Sequence, residues 1–285
     1  MDLKTTENET AASMENIAVE KPEDLERNDV SGERHAVYSG SRNLYPDMVT
    51  AAKSLVKNSA VDTVWLLIED DEFPYDLPSM VKTVNVKPIC DRIFDPKGPN
   101  MRTEFTVMAM IRAAYTMVLP SKVEKVLQLD VDTVVVDGID DIWEKLDEDG
   151  KWIAGVHETF GTIRPFGRVY LNAGFLYLDL EEMRKARLCE KAVDILNLEK
   201  WPYIDQDVMC KLGVDTDGYV LLDRSYNEGT MMGHTEHPKV VHYVGYKGWQ
   251  TSMKVPRREY LGQYRDLSWE EALGCNSEMK SRLSR

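Results

Sequence analysis

The sequence predicts a mixed α/β body with a mostly parallel central sheet flanked by helices. Three observations carry this expectation. Short apolar runs of strand length alternate with segments whose apolar residues recur at helical spacing. The first three of these segments read strand, helix, strand, the pattern of a parallel pair joined by a crossover helix. The chain has 285 residues, 43% hydrophobic and 29% charged. That is enough for a sizeable core, and it is far from the composition of a disordered or a membrane chain.

Residues 1–33 stand apart from the rest. They hold ten acidic and three basic side chains and no aromatic ring, which is half of the net charge of −14. So little apolar surface cannot offset the entropy of ordering, and the segment is expected to be a disordered acidic tail. The regular pattern begins at His35. His35–Tyr38 and Thr63–Ile68 are strands by length and apolarity. Between them Met48, Val49, Ala52, Leu55 and Val56 mark a helix over 47–58. A second helix is expected from Arg102 to Leu119, ending at Pro120, which cannot continue it. Strands follow at 126–129, 133–136, 152–156, 169–178, 219–222 and 239–244, with helices at 181–197 and 205–212. Residues 34–255 form the expected body. Residues 256–285 form a C-terminal extension, expected to be helical, with nearly balanced charge.

Composition narrows the function. A strongly acidic chain repels nucleic-acid backbones, which argues against a general DNA or RNA binder. No apolar run reaches the roughly 18 residues that cross a bilayer. Cys90, Cys189, Cys210 and Cys275 stand alone. With no CxxC pair, a zinc ribbon or a thioredoxin-type site has no support, and reduced core cysteines are expected. The N-terminus lacks a basic segment followed by an apolar one, so the expected location is cytoplasmic.

Four clusters carry chemistry. In Lys125–Thr133 an apolar strand leads to Asp130 and Asp132, separated by Val131. On an extended backbone residues i and i+2 point to one side. Two carboxylates at one point suit a hard divalent cation, Mg2+ or Mn2+; the plainer alternative is a solvated acidic turn. In Val240–Trp249 a second apolar strand ends at His242, Gly245 and Lys247. His242 can ligate a metal or simply be a core histidine. Gly245 permits close backbone approach to a phosphate, and Lys247 supplies a compact positive charge. In Tyr170–Tyr177, Asn172 and Gly174 flank Ala173 inside an otherwise apolar strand. A buried amide needs partners, and sugar hydroxyls are good ones; a bulge is the alternative. Asp205 and Gln206, in Asp205–Asp207, are groups that grip sugar hydroxyls, although Asp205 alone reads as a helix N-cap.

The four clusters in this order resemble the family-eight retaining glycosyltransferases, the group of glycogenin and the lipopolysaccharide galactosyl- and glucosyltransferases. Leu129–Asp132 is similar to that family's DxD, Leu171–Phe175 to its NAG strand, Asp205–Asp207 to its DQD and His242–Trp249 to its HxxGxxKPW ending. The resemblance covers about His35 to Trp249. It implies a GT-A fold and a Mn2+-dependent transfer of glucose or galactose from a UDP-sugar to an acceptor hydroxyl, with Mg2+ as the alternative ion. It implies that Asp130, Asp132 and His242 hold the metal and that Gly245 and Lys247 contact the diphosphate. The first-strand loop, with Tyr38, Ser39, Asn43 and Tyr45, would hold the base and ribose. Arg112 would reach the donor. Asn172, Asp205 and Gln206 would grip the transferred sugar, Val131 and Ala173 lie within the same motifs, and Asn227 matches a YN element. Front-face attack is expected, because Gln206 is a poor nucleophile and Asp205 is committed to hydroxyls. The acceptor class stays open among glycan, lipid-linked, protein and small molecule. Two positions depart from the pattern: Gly248 stands where the family has Pro, and Arg42 where many members carry an acidic residue.

Other readings compete. Asp130–Val134 also fits the nucleophile motif of haloacid-dehalogenase-type Mg2+ phosphatases, but it sits deep in the body and lacks the later acidic element. A sugar nucleotidyltransferase needs a glycine-rich loop that Ser39–Arg42 does not provide. A non-catalytic sugar-binding module needs neither Asp130 nor His242.

Overall fold

The computed structural model describes residues 32–101, 106–158, 169–229, 234–245 and 257–284. The acidic tail lies outside them but for Gly32 and Glu33, as do Lys247, Gly248 and Trp249. From Ser31 on, the chain clusters into one unit. Its main sheet contains β1 (His35–Ser39), β2 (Thr63–Ile68), β3 (Val81–Asn85), β4 (Lys125–Leu129), β6 (Ile153–His157), β7 (Leu171–Asp179) and β8 (Tyr219–Leu222). The spatial order is β3-β2-β1-β4-β7-β6-β8. Every neighbouring pair is parallel except those made by β7, which runs antiparallel to β4 and β6. The beginning of β7 therefore lies beside the end of β4, with Phe175 opposite Leu129. A second, smaller sheet places β10 (Val240–His242) between β5 (Thr133–Val135) and β9 (Glu228–Gly229), with His242 opposite Thr133.

Strand alternation divides the core in two. Val37, Trp65, Leu67, Val126, Leu176 and Leu178 pack on one face of the main sheet. Ala36, Tyr38, Leu66, Leu127, Leu129, Phe175 and Tyr177 pack on the other. The β7 strand is buried along its whole length, as a central strand covered on both faces must be. Helix α1 (Tyr45–Asn58) begins two residues before the expected start, with a proline in its first turn, and buries Met48, Ala52, Leu55 and Val56.

Several expectations change on folding. The helix expected over 102–119 is three short pieces among the described residues: α3 (Val107–Met110), a 3-10 turn at Ile111–Ala114, and α4 (Tyr115–Val118). Its end before Pro120 is as expected. The helix expected over 181–197 is also divided, into α5 (Leu180–Lys185) and α6 (Leu188–Leu198), because Arg187 takes a left-handed conformation at φ 53°. The runs expected at 133–136 and 239–244 form strands, but they pair with each other outside the main sheet. Strand β3 and helix α2 (Lys87–Ile93) are not expected from the sequence. The first is a half-exposed edge strand and the second one short helix, so neither has a strong apolar period.

The C-terminal stretch is helical. Helix α8 (Arg258–Tyr264) and helix α9 (Trp269–Leu283) follow α7 (Asp205–Asp215) and β10 in the chain. Ser268 caps α9 by accepting from the Glu271 N–H at 3.1 Å. The α9 helix packs on α1 through buried Ala272, and Asn276 donates to the carbonyls of Ser59 at 2.7 Å and Val61 at 3.1 Å.

Candidate active site

The site forms where β4 ends and β7 begins. The Asp130 N–H donates to the Gly174 carbonyl at 3.0 Å, so the antiparallel ladder reaches the first acidic residue. The chain then turns. The Asp130 carbonyl accepts from the Thr133 N–H at 3.1 Å and from the Thr133 hydroxyl at 2.7 Å. Asp130 and Asp132 thus converge through a tied turn rather than through strand alternation, which corrects the physical reason for their proximity. The Tyr243 N–H donates to the Asp132 carbonyl at 2.9 Å and draws the end of β10 to the same point.

His242 completes the group. Its Nε2 lies 3.2 Å from Asp132 Oδ1 and 3.6 Å from Asp130 Oδ2. Ligand atoms of Asp130, Asp132 and His242 all fall within 4.8 Å of one another, a separation that one cation can span. The two aspartate side chains keep 28% of their surface exposed against 4% for the histidine, so the carboxylates form the open side. Burial opposes a charged His242, but Asp132 and Asp130 outweigh burial and hold its pKa above the usual value. Burial also opposes charge on Asp132, yet His242 holds its pKa below the usual value. For Asp130 burial prevails over Arg112 and the pKa rises.

Gly174 makes room for the imidazole, since a Cβ there would lie 2.0 Å from His242 Cε1. This close approach explains a glycine inside an apolar strand better than a bulge does. Asn172 is buried and engaged on both ends. Its Oδ1 accepts from Gly174 N and Asn227 Nδ2, each at 2.8 Å, and its Nδ2 donates to Glu158 at 2.6 Å.

Arg112 sits on the 3-10 turn that interrupts the expected helix, and a tightened turn of this kind often marks a functional position. Its guanidinium bridges Asp130 and Asp205. It meets Asp205 with two contacts, Nε at 2.8 Å and Nη2 at 3.1 Å. Asp205 is the first residue of α7 and does not cap it. Ile204 occupies the cap position at φ 46°, a conformation costly for a β-branched residue and held by near-complete burial. Burial drives the Asp205 pKa up to about 6 although Arg112 pulls it down. Burial opposes the Arg112 charge in turn, but Asp130 and Asp205 keep the guanidinium above its ordinary pKa. Gln206 Oε1 accepts from the Ala173 N–H at 2.8 Å. Asp207, left out of the sequence-based site, accepts from the Tyr170 hydroxyl at 2.6 Å and the Tyr203 N–H at 2.8 Å.

The first-strand loop is mixed. The Tyr38 hydroxyl donates to the Ala51 carbonyl at 3.3 Å, and Ser39 donates to the Met108 carbonyl at 3.0 Å. Tyr45 is buried against Phe73, with its hydroxyl on Asp70 at 2.9 Å. Asn43 and Arg42 are exposed, and Val131 is buried. Gly245 adopts φ 77°, which side chains rarely tolerate, three residues beyond His242.

A family model described as Glycosyl transferase family 8 matches residues 35–252. The chain belongs to this family. Among relatives, Glycosyltransferase GlyB of Streptococcus pneumoniae serotype 4 (strain ATCC BAA-334 / TIGR4) is 24% identical over 169 residues, covering 53% of this chain and 41% of GlyB. General stress protein A of Bacillus subtilis (strain 168) is 22% identical over 189 residues, covering 55% of this chain and 64% of that protein. The match thus spans less than two thirds of each relative's length. Among solved structures, apo GlyE of Streptococcus pneumoniae TIGR4 superposes with a TM-score of 0.60 at 21% identity, over 88% of this chain and 64% of GlyE. The galactosyltransferase LgtC, solved with donor and acceptor sugar analogs, gives 0.60 at 18% identity, over 85% of this chain and 99% of LgtC. This family 8 chain has the GT-A fold of these glycosyltransferases.

Proposed function

We propose that this protein transfers a hexosyl group, glucose or galactose, from a UDP-sugar to an acceptor hydroxyl with retention of configuration and dependence on Mn2+. Membership of family 8 supports the reaction class. The observation that carries the finer reading is the Asp130, Asp132 and His242 set at the end of β4, beside the Arg112–Asp205 pair. Two carboxylates and one imidazole, oriented by further hydrogen bonds, fit Mn2+ or Mg2+. A bound cation supplies Lewis-acid stabilisation of the charge that develops on the departing diphosphate.

The side chains suggest how the chain uses its donor. Arg112 brings positive charge beside the carboxylates and restrains Asp205 with two contacts. A carboxylate held in this way is a weak nucleophile, and Gln206 has its oxygen on Ala173 N–H. Both features favour front-face attack over a covalent intermediate. In that reaction the C1–oxygen bond breaks with its electron pair passing to the diphosphate. The acceptor oxygen bonds C1 from the same face, and its proton passes to the departing oxygen. Asp205 and Gln206 would meet the transferred sugar, Gly245 and Lys247 the diphosphate, and Ser39 and Asn43 the nucleoside end, while Asn172, Tyr38 and Tyr45, buried with their polar atoms engaged inside the protein, would support these contacts from behind. Arg112 also engages Asp130, which disfavours the phosphatase alternative, because there Asp130 must attack phosphorus. LgtC was solved with an acceptor sugar analog, so a glycan is the first acceptor class to assay.

The test is a thermal-shift and transfer assay of UDP-glucose and UDP-galactose with Mn2+, Mg2+ or chelator. Stabilisation by one UDP-sugar only with metal, and release of UDP on adding a sugar acceptor, are expected. Indifference to every nucleotide with metal present refutes the proposal.

A further inference from the structure

We infer that Asn227 is a positioning residue of the cation site: its amide, locked by Asn172, makes His242 carry its hydrogen on Nδ1 and present Nε2 to the cation. This rests on the cation reading proposed above and adds a role that reading does not contain. Each link is one-way. The Gly174 N–H can only donate, and it meets Asn172 Oδ1 at 2.8 Å. On its other side the Asn172 Nδ2 donates to Glu158 Oε2 at 2.6 Å. The Asn172 amide therefore has one orientation. Its Oδ1 can only accept, so the Asn227 group facing it at 2.8 Å is the amino group. The other end of Asn227, Oδ1, lies 3.0 Å from His242 Nδ1. A carbonyl oxygen only accepts, so Nδ1 carries the hydrogen.

Nε2 then faces Asp132 and Asp130, at 3.2 and 3.6 Å, where a bound cation would take its lone pair. A flipped Asn227 would set an amino group against Nδ1 and move the hydrogen to Nε2, the atom a cation needs bare. Asn227 is 1% exposed, Asn172 6% and His242 3%, so solvent cannot replace a missing link. The chain of hydrogen bonds joins β6, β7, the 3-10 turn at Arg224–Asn227 and β10, and it ends on the one ligand that belongs to the smaller sheet. With both ends engaged inside the protein, the Asn227 amide serves the histidine and not the sugar.

The test compares wild type with Asn227→Leu and Asn227→Asp, each checked for folding by circular dichroism in chelator. Mn2+ affinity is read by electron paramagnetic resonance of the free ion, without nucleotide or turnover. His242 is read by 15N NMR of histidine-labelled protein loaded with Mg2+. The expected wild-type result is cation binding with hydrogen on Nδ1. Asn227→Leu is expected to weaken Mn2+ binding about 10- to 100-fold and to lose the Nδ1–H signal. Asn227→Asp keeps an acceptor opposite Nδ1 and is expected to bind far more tightly than the leucine variant. Unchanged affinity in Asn227→Leu, or equal losses in both folded variants, overturns the positioning role and leaves the cation reading standing. A wild-type His242 with a bare Nδ1 overturns it whatever the variants do. A wild type that binds neither ion overturns both readings.

Discussion

A Cβ added at Gly174 would lie 2.0 Å from His242 Cε1 and 2.2 Å from Nδ1, far inside any real contact. The Gly174→Ala variant must therefore displace the imidazole while β7 keeps its ladder. A folded protein with Mn2+ affinity lowered about tenfold or more is expected, read by titration of the free ion. Asp132→Asn keeps the side-chain volume and removes one charge from the cation site. Turnover is expected to fall about 100-fold or more, with the fold retained in chelator by circular dichroism; an unaltered rate would remove Asp132 from the proposed site.

His35 shows a different residue-scale effect. Burial pushes its pKa down to about 4, and neither ring nitrogen has a hydrogen-bond partner among the described residues. Between about 4 and 6.5 the unfolded chain binds the proton that the folded chain refuses. Stability from this group is thus complete above pH 6.5 and is lost as pH falls toward 4, by on the order of 3 kcal/mol. Denaturation of His35→Phe across that window should show a flatter pH dependence than wild type. At this scale the sequence was informative where chemistry is local. Asp130 and Asp132 are two residues apart and announce themselves. Glu158 does not, because its role arises only where the end of β6 meets the beginning of β7, and an isolated glutamate carries no such signal.

Elements repeat that distinction. The α1 helix was legible because Met48, Val49, Ala52, Leu55 and Val56 repeat along one face. The two expected long helices were not, since their breaks are tertiary. The turn at Ile111–Ala114 carries Arg112 to Asp130 and Asp205, and those contacts lie 18 and 93 residues away in sequence. Arg187 takes a left-handed conformation that no local residue type demands. The α9 helix offers a test of packing between elements. Asn276 is buried, and its amide holds the carbonyls of Ser59 and Val61 at the end of α1. Asn276→Ala takes this donor from the buried Val61 carbonyl and leaves the Ser59 carbonyl only the Val61 N–H at 2.9 Å, which costs about 1–3 kcal/mol. Chemical denaturation should register that loss, and Mn2+ affinity should be untouched, because the contact joins the helices and involves none of the cation ligands.

At the scale of the whole molecule, the reversed strand β7 organises the site. Strand lengths and apolarity in the sequence foretell a mixed, mostly parallel sheet, but they do not foretell which strand runs backward. Because β7 does, Asn172–Gly174 begins where Leu129 ends, and the turn of Asp130–Asp132 faces it. Crevices at the carboxyl ends of sheet strands are where open α/β folds bind ligands. The smaller sheet then brings His242 to the same point from more than a hundred residues away. Asp130 thus hangs from the large sheet and His242 from the small one, with Asp132 tied to both through the Thr133 turn and the Tyr243 N–H. A cation held by all three would join the two sheets, so its binding should stabilise the entire fold and not only the site. At a hundred times its dissociation constant Mn2+ should add about 2.7 kcal/mol, a rise on the order of 5 °C in melting temperature for a unit of this size. The rise should appear without nucleotide, vanish in chelator and be absent from Asp132→Asn. A Mn2+ effect that survives in Asp132→Asn would assign the cation to a different set of ligands and leave the two sheets joined by hydrogen bonds alone.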